Sequence, residues 1–340
     1  MMPTYLKLTY IPGLGEIVIR ELKSFPGFKV AETTETGVFI DLPSELKRVR
    51  ELRSVNSVFI VKRDEALNPL YISRHKSILG GMIEFMFKQK TDTFKTFAVS
   101  CAGSDSDEVK EIKKFVAQTF KLEESEDADL KIYIGKYGTT WEVGVELFAR
   151  PLSLRDYKVE NIKGGMNPTI AFAMNSLCHL EKKESYLNIF SGSATLLIEA
   201  GVTNPKLKLV GFDHNGTSIA LAVKNIKKAG LIKNIELKNA DIFDEPELGT
   251  FDVIASDVPF GMQIAKGEDL EKLYEMFIAY AEKVLNPEGR LVVYTTEHEL
   301  LEAVISRSSF KVLKTMSLKV STVVAPTVYI EPKIFLCERK

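Results

Sequence analysis

Apolar positions recur in short strand-like and helix-like runs along the chain, and their arrangement changes near its middle. In the front part, residues 5–10 (YLKLTY) alternate with the period of a half-buried strand. A helix follows from near Gly15 (EIVIRELKSF), then a strand at 38–42, a helix at 44–52 and a strand at 57–62, with Pro12-Gly13 and Pro26-Gly27 as turns. Next come a helix at 68–86, a strand at 94–100, a helix at 107–119 with Val109, Ile112, Phe115 and Val116 on one face, and strands at 130–134 and 140–148. Residues 152–165 are polar and end in Gly164-Gly165, the composition of an interdomain connector. Beyond it strands and helices take turns. Asn167 and Pro168 open a helix as N-cap and first residue. Strands are expected at 186–190, 207–212, 235–238, 251–255 and 290–295, with a helix at 271–285 and a turn at 286–289. Two last strands, 310–320 and 327–336, have no helix between them and are expected to pair antiparallel. Five parallel strands with crossovers and a terminal hairpin make a doubly wound α/β sheet behind a mixed α+β front part.

Composition changes this picture little. The chain has 340 residues, 45% of them hydrophobic, enough for two or three cores. No apolar run approaches a membrane span, and MMPTYLKLTY lacks the charged start and apolar centre of a signal peptide, so a soluble, cytoplasmic protein is expected. Cys101, Cys178 and Cys337 are widely spaced, and His75, His179, His214 and His298 form no close pair, so no metal site is expected. The net charge of -1 does not advertise a nucleic-acid binder, but residues 44–95 carry 11 Lys plus Arg against 6 Asp plus Glu, while 102–130 carry 4 against 9. A basic face and an acidic face can cancel in the sum.

The candidate chemistry lies at the strand ends of the back part. Residues 186–200 (YLNIFSGSATLLIEA) read as strand, small-residue loop and helix, a turn that lets backbone approach a ligand and presents unpaired N–H groups to it. The next strand ends at Asp213, placed like the carboxylate that bonds ribose hydroxyls in dinucleotide-type folds. The third ends at Asp241-Ile242, where a carboxylate beside a backbone N–H suits an adenine edge, and the fourth at Ser256-Asp257-Val258-Pro259-Phe260-Gly261. One Asp at a strand end is usually a cap or turn residue; several on one rim point to a ligand.

These residues resemble the THUMP-domain RNA methyltransferases that modify the exocyclic N2 of guanine in tRNA. Residues 188–200 look like that family's D-P-F-C-G-S-G-T-L-L-I-E-A, residues 164–169 (GGMNPT) like its G-A-L-R-P-T, and Asp257-Val-Pro-Phe-Gly261 like the D-L-P-F-G of the branch acting at position six of the acceptor stem. The resemblance implies a class I (Rossmann-type) methyltransferase domain at 166–340, a linker at 151–165, a THUMP RNA-binding domain at 66–150 and a ferredoxin-like domain at 1–65. It implies S-adenosylmethionine held by Thr169, Asn188, Phe190, Ser191, Gly192, Ala194, Thr195, Asp213, Asp241 and Ile242. The catalytic loop is then Asp257, Val258, Pro259 and Phe260: Asp257 and the Val258 carbonyl accept the two amine protons, and Phe260 stacks the base. tRNA is the expected partner, met by Lys88, Lys90, Lys95, Arg150, Arg155 and Lys158, with the protein acting as a monomer, without a metal or a membrane.

Three positions depart from the pattern: Asn188 stands for a carboxylate, Ala194 for a loop glycine, tolerable if φ there stays negative, and Val258 for Leu or Pro. Position ten of tRNA and rRNA are alternative substrates, and a catalytically degenerate RNA-binding protein is the alternative of another class. Thiouridine synthases, which also carry THUMP domains, need an SGGxDS-type loop that residues 191–195 do not supply. Methylation of a protein glutamine or a DNA base leaves about 150 N-terminal residues unused.

Overall fold

A computed structural model describes residues 4–102, 105–162, 164–260, 270–321 and 328–340. The chain forms two compact units, Met1–Tyr10 with Val18–Ser153, and Ile11–Ile17 with Leu154–Lys340.

The first unit is built on an eight-stranded sheet of β1 (Tyr5–Thr9), β2 (Val30–Thr33), β3 (Gly37–Asp41), β4 (Ser57–Asp64), β5 (Thr96–Cys101), β6 (Glu123–Glu124), β7 (Leu130–Tyr137) and β8 (Thr140–Glu146), in the order β2-β3-β1-β4-β8-β7-β5-β6. Its helices are α1 (Gly15–Lys23) from Val18 onward, α2 (Ile72–Gln89) and α3 (Asp107–Phe120). The expected boundary at residue 65 falls at the end of β4, and the sheet runs on across it, because β4 pairs with β8 from Phe59↔Glu146 to Asp64↔Trp141. A buried polar cluster sits on that seam. Glu142, 2% exposed, accepts hydrogen bonds from Lys7 Nζ (2.8 Å), Arg63 Nε (2.7 Å) and the Tyr133 hydroxyl, and Arg63 Nη1 reaches Glu32 at 2.6 Å. Burial acts to raise the Glu142 pKa, but these hydrogen bonds outweigh it and hold the carboxyl below its ordinary range. The expected helix at 44–52 is a 3-10 turn (Leu46–Glu51), and β2 lies where no strand was expected; both are short and follow Pro-containing turns.

The second unit has a seven-stranded sheet of β9 (Ser185–Ile189), β10 (Lys208–Asp213), β11 (Ile235–Asn239), β12 (Phe251–Asp257), β13 (Leu285–Thr295), β14 (Phe310–Ser317) and a last strand Lys333–Arg339. Their order is β11-β10-β9-β12-β13, all parallel, then the last strand and β14 antiparallel at the edge. This is the doubly wound sheet with a terminal antiparallel pair that the strand pattern predicts. The helices are α4 (Pro168–Leu177), α5 (Thr195–Thr203), α6 (Gly216–Lys228), α7 (Leu270–Val284) and α8 (His298–Ser306). Leu187, Ile189, Val210, Phe212 and Ile254 pack with Phe277, Tyr280, Leu301 and Ile305 of α7 and α8 in one core. Just before Leu187 on β9, Tyr186 points the other way and donates to Asn175 of α4 at 2.6 Å. The segment 286–289, expected as a turn, is a bulge inside β13: Phe251 pairs Leu285 and Val253 already pairs Arg290. Helix α8 was missed although Leu301, Val304 and Ile305 carry helical spacing.

Gly144 is a fixed point of the first unit. It pairs with Tyr133 across β7 and β8, and a Cβ there would lie 2.1 Å from that ring. The ring cannot yield, since its hydroxyl is tied to Glu142. Gly144→Ala is therefore expected to destabilise the chain by about 1–3 kcal/mol, measured by urea unfolding. An unchanged midpoint would show that the Tyr133–Glu142 cluster is dispensable.

Candidate active site

The winding order of the parallel strands reverses in the second unit between β9 and β12, and a crevice forms beyond the strands where their connections part to opposite sides. The edge of the parting is sewn together: Asn188 Nδ2 donates to the Ala255 carbonyl at 2.9 Å and Ser256 Oγ to the Ile189 carbonyl at 2.8 Å. A cavity of about 650 Å³ opens there, within the roughly 300–1,000 Å³ of small-molecule sites.

Its floor is the small-residue loop. Phe190, Gly192 and Ala194 take φ values of +57°, +49° and +61°, a zigzag that turns successive backbone groups inward. Ala194 thus sits in the left-handed region, against the expectation of negative φ, and bears a strain of about 1 kcal/mol or more that glycine would avoid. Asp213 braces this loop. Its Oδ2 accepts from Gly192 N at 2.8 Å and its Oδ1 from Asn215 N at 2.9 Å, so the carboxylate is held at the cavity wall with lone pairs to spare. The Ser191 hydroxyl is buried with no hydrogen-bond partner among the described residues.

Six of the ten residues expected to hold the nucleoside ligand line the cavity: Asn188, Phe190, Ser191, Gly192, Thr195 and Asp213. Thr169 is fully buried at the start of α4, Ala194 is buried behind the loop, and Asp241 and Ile242 lie outside the lining, Asp241 capping a short turn through Phe243 N at 3.0 Å. The opposite wall carries Asp257, Val258, Pro259 and Phe260, all four together as expected, while Gly261 lies outside the described residues. This loop is held from beneath: Tyr274 donates to the Pro259 carbonyl at 3.3 Å, Val258 N to the Tyr294 carbonyl at 3.3 Å, and Phe260 stands edge-on to Tyr294 at 6.0 Å. Burial pushes the Asp257 carboxyl up to about 7, against the pull of the Lys158 ammonium. Burial likewise raises the phenols of Tyr274 and Tyr294 well above their ordinary value, so both stay protonated where Asp257 ionises.

The stretch expected as a connector is a wall of the site. Asn161, Ile162, Gly164, Gly165 and Met166 line the cavity, and Ile162 lies over Gly192, where a Cβ would come within 3.0 Å of its Cδ1. Two buried anchors hold it. Glu199, with no exposure, accepts from Arg155 Nε at 3.2 Å and the Tyr157 hydroxyl at 2.7 Å; Asn225 bonds both the N–H (2.9 Å) and the carbonyl (3.0 Å) of Glu160. Lys158 donates to the Met166 carbonyl at 2.6 Å. Arg155 and Lys158, expected to face RNA, are thus turned inward; Lys88, Lys90, Lys95 and Arg150 are exposed. Asn215, Thr217 and Ser218 at the start of α6 were also missed, although Asn-Gly-Thr-Ser, one residue beyond Asp213, has the pattern of an N-cap. Among the described residues no cluster suits a metal ion, and no helix is long and apolar enough to cross a membrane.

Known proteins share this architecture. The crystal structure of TrmN from Thermus thermophilus superposes with a TM-score of 0.79 over 99% of this chain and 100% of its own, at 20% identity. SMU.472, solved in complex with SAH, superposes with a TM-score of 0.75 over 100% and 99%, at 16% identity. At such identities the likeness establishes the fold. Among curated relatives, the Bos taurus U6 snRNA (guanine-N(2))-methyltransferase THUMPD2 is 29% identical over 219 residues, 61% of this chain and 42% of its own. The Archaeoglobus fulgidus tRNA (guanine(6)-N2)-methyltransferase is 24% identical over 336 residues, 86% of this chain and 83% of its own. The chain thus spans less than half the length of the bovine relative. Residues 155–325 match the family described as RMKL-like, methyltransferase domain. With half of its length in that match, and the site built from the same residues, the chain belongs to the RMKL-like methyltransferase domain family.

Proposed function

We propose that the chain methylates the exocyclic N2 of a guanosine in tRNA, at position six of the acceptor stem, with S-adenosylmethionine as methyl donor. One observation carries the reading: the Asp257–Phe260 loop faces the Gly192–Asp213 floor across a single cavity at the switch point of the sheet. The floor fits a charged nucleoside. Asp213 offers lone pairs to vicinal hydroxyls, Gly192 adds no side chain to the floor, and the Ser191 hydroxyl, without a hydrogen-bond partner among the described residues, is ready for a polar group. When bound there, S-adenosylmethionine supplies an electrophilic sulfonium methyl.

The chain's own groups explain why a weak amine would react. The guanine N2 lone pair is delocalised into the ring, and two acceptors on its protons draw it out: the Asp257 carboxylate and the Val258 carbonyl. Phe260, braced by Tyr294, supplies the face for a base that has left its stack. After transfer the nitrogen carries an extra proton, and a carboxyl near pH 7 is suited to take it. The Archaeoglobus relative, named for position six and aligned over most of both chains, supports the choice of tRNA and of position. The first unit is proposed to hold the RNA, with residues 1–65 as a ferredoxin-like part and 66–150 as a THUMP domain, through exposed Lys88, Lys90 and Lys95. Three free cysteines suit a cytoplasmic setting.

The direct test is transfer of labelled methyl to a tRNA transcript by the full chain, with the product mapped by nuclease digestion and mass spectrometry. N2-methylguanosine is expected at position six, and a transcript with inosine there, which lacks the amine, should accept nothing. Label at another position would reject the site choice, and label on the inosine transcript would reject N2 as the target.

Asp257→Ala should slow single-turnover transfer by about 2–3 orders of magnitude while cofactor affinity hardly moves. Asp213→Ala should do the reverse, weakening cofactor binding by about 2 kcal/mol in calorimetry. Because Asp257 must be ionised to accept, the unmutated enzyme's rate should rise about tenfold per pH unit and level off above about pH 7. The same shift has a stability consequence. The unfolded chain ionises Asp257 near its ordinary 3.8 while the native state keeps the proton to about 7, so the penalty on the fold grows between these values and is complete above 7. Asp257→Asn should therefore stabilise the protein at pH 8, by about 1–3 kcal/mol once partial solvent access is allowed for, and leave it unchanged near pH 4. Equal stability of the two proteins at pH 8 would contradict a buried, strained carboxylate.

Replacing Lys88, Lys90 and Lys95 together by Glu should weaken tRNA binding and flatten its salt dependence by about 2–3 in the slope of log K against log salt. An unchanged slope would move the RNA footprint off this face.

A further inference from the structure

Between β14 and the last strand the chain makes a separate two-stranded ribbon, β15 (Val320–Ser321) and β16 (Tyr329–Ile330), paired as Val320↔Ile330 and Ser321↔Tyr329. It stands outside the seven-stranded sheet, and its base is pinned by Leu318 N to the Pro332 carbonyl at 2.9 Å and by His298 Nε2 donating to the Glu331 carbonyl at 2.8 Å. The two residues of β16 face opposite ways, as strand neighbours must. Ile330 lines the catalytic cavity, in company with Phe260 and Thr296, whereas Tyr329 is 52% exposed and has Lys319 Nζ over its ring at 4.8 Å. An aromatic face and the cation lying over it therefore sit beside Ile330 at the cavity, on the side of the Asp257–Phe260 loop.

We infer that Tyr329 and Lys319 hold a nucleotide flanking the methylated one, Tyr329 stacking its base and Lys319 meeting its phosphate. This rests on the reading of the site as one that takes a nucleotide of RNA. A ribbon of two residues per strand is too small to stand as a stabilising element, so an exposed Tyr at its tip adds little to the fold. A cation over an exposed ring is a weak contact, weaker than a base stacked on the same ring, so an incoming base displaces Lys319 at little cost and leaves the ammonium beside the phosphate that follows. The surroundings have the matching charge: residues 314–333 carry Lys319 and Lys333, with Lys314 already paired to Glu16, against Glu331. A base moved into the cavity against Phe260 leaves its neighbour unstacked, and the ribbon offers that neighbour a new face.

The test uses the full chain and one fluorescent tRNA, with affinity read by anisotropy and methylation by single turnover. Tyr329→Ala should weaken tRNA binding by about 5- to 100-fold, Tyr329→Phe should keep the affinity because the ring is kept, and both should bind S-adenosylmethionine as the parent does. Lys319→Ala should lower the salt slope by about one. If Tyr329→Ala binds tRNA like the parent, or Tyr329→Phe is as weak as Tyr329→Ala, the platform is overturned, and methylation by the parent would still uphold the proposed activity. If the parent binds tRNA in a Tyr329-dependent way yet methylates none, the platform stands and the proposed activity falls. A parent that binds no RNA overturns both.

Discussion

A carboxylate with no access to water has to be paired, and Glu199 is the residue on which the methyltransferase unit's site depends for that reason. It lies on α5, directly behind the small-residue loop, and its partners Arg155 and Tyr157 come from the stretch that enters the unit. Their bonds draw residues 154–166 across the loop, so that Ile162 covers Gly192 and Met166 joins the cavity wall. Removing one partner would strand a buried charge, a loss of about 3–5 kcal/mol, whereas the contact of Ile162 alone has no such hold. The charge pair fixes the path of the backbone; the apolar contact then shapes the cavity.

Much of the fold was open to reading because it rests on local periodicity. The alternation of strands and helices after residue 166, the parallel order and the closing antiparallel pair all follow from spacing, and the strand-end residues Asp213 and Asp257 were found by position alone. What escaped depends on pairings between distant residues. The polar composition of 152–165 looked like a linker because nothing local shows that Arg155 has a buried partner 44 positions away. The seam between β4 and β8, which joins the two halves of the first sheet, is equally invisible until Arg63 and Glu142 are seen opposite each other. Ala194 failed for another reason: a helix preceded by a small residue does not reveal the sign of φ.

The two carboxylates of the cavity show how environment divides labour between like groups. Asp213 receives two backbone N–H bonds and faces the cavity with its remaining lone pairs. Asp257 shows no such donors among its described contacts and is raised by burial toward neutrality, where a carboxyl can both accept a hydrogen bond and take a proton. Lys158 limits the rise. Its own ammonium is disfavoured by burial and supported by Asp257 and Glu199, so the clamp that shapes the wall also sets the electrostatics of the Asp257–Phe260 loop.

Asn188 fits the same division. It stands where the resembling family has a carboxylate, yet both protons of its amide are used, one on the Ile189 carbonyl at 3.1 Å and one on the Ala255 carbonyl at 2.9 Å. A carboxylate in that place would set its oxygens against two carbonyl oxygens and would add a third negative group to a cavity in which Asp257 already resists ionisation. The amide removes both conflicts. It ties β9 to β12 at the point where the crevice opens and leaves its oxygen as an uncharged acceptor on the cavity wall. What the substitution gives up in negative charge it returns as a rigid junction and as an Asp257 carboxylate that can still ionise near neutral pH.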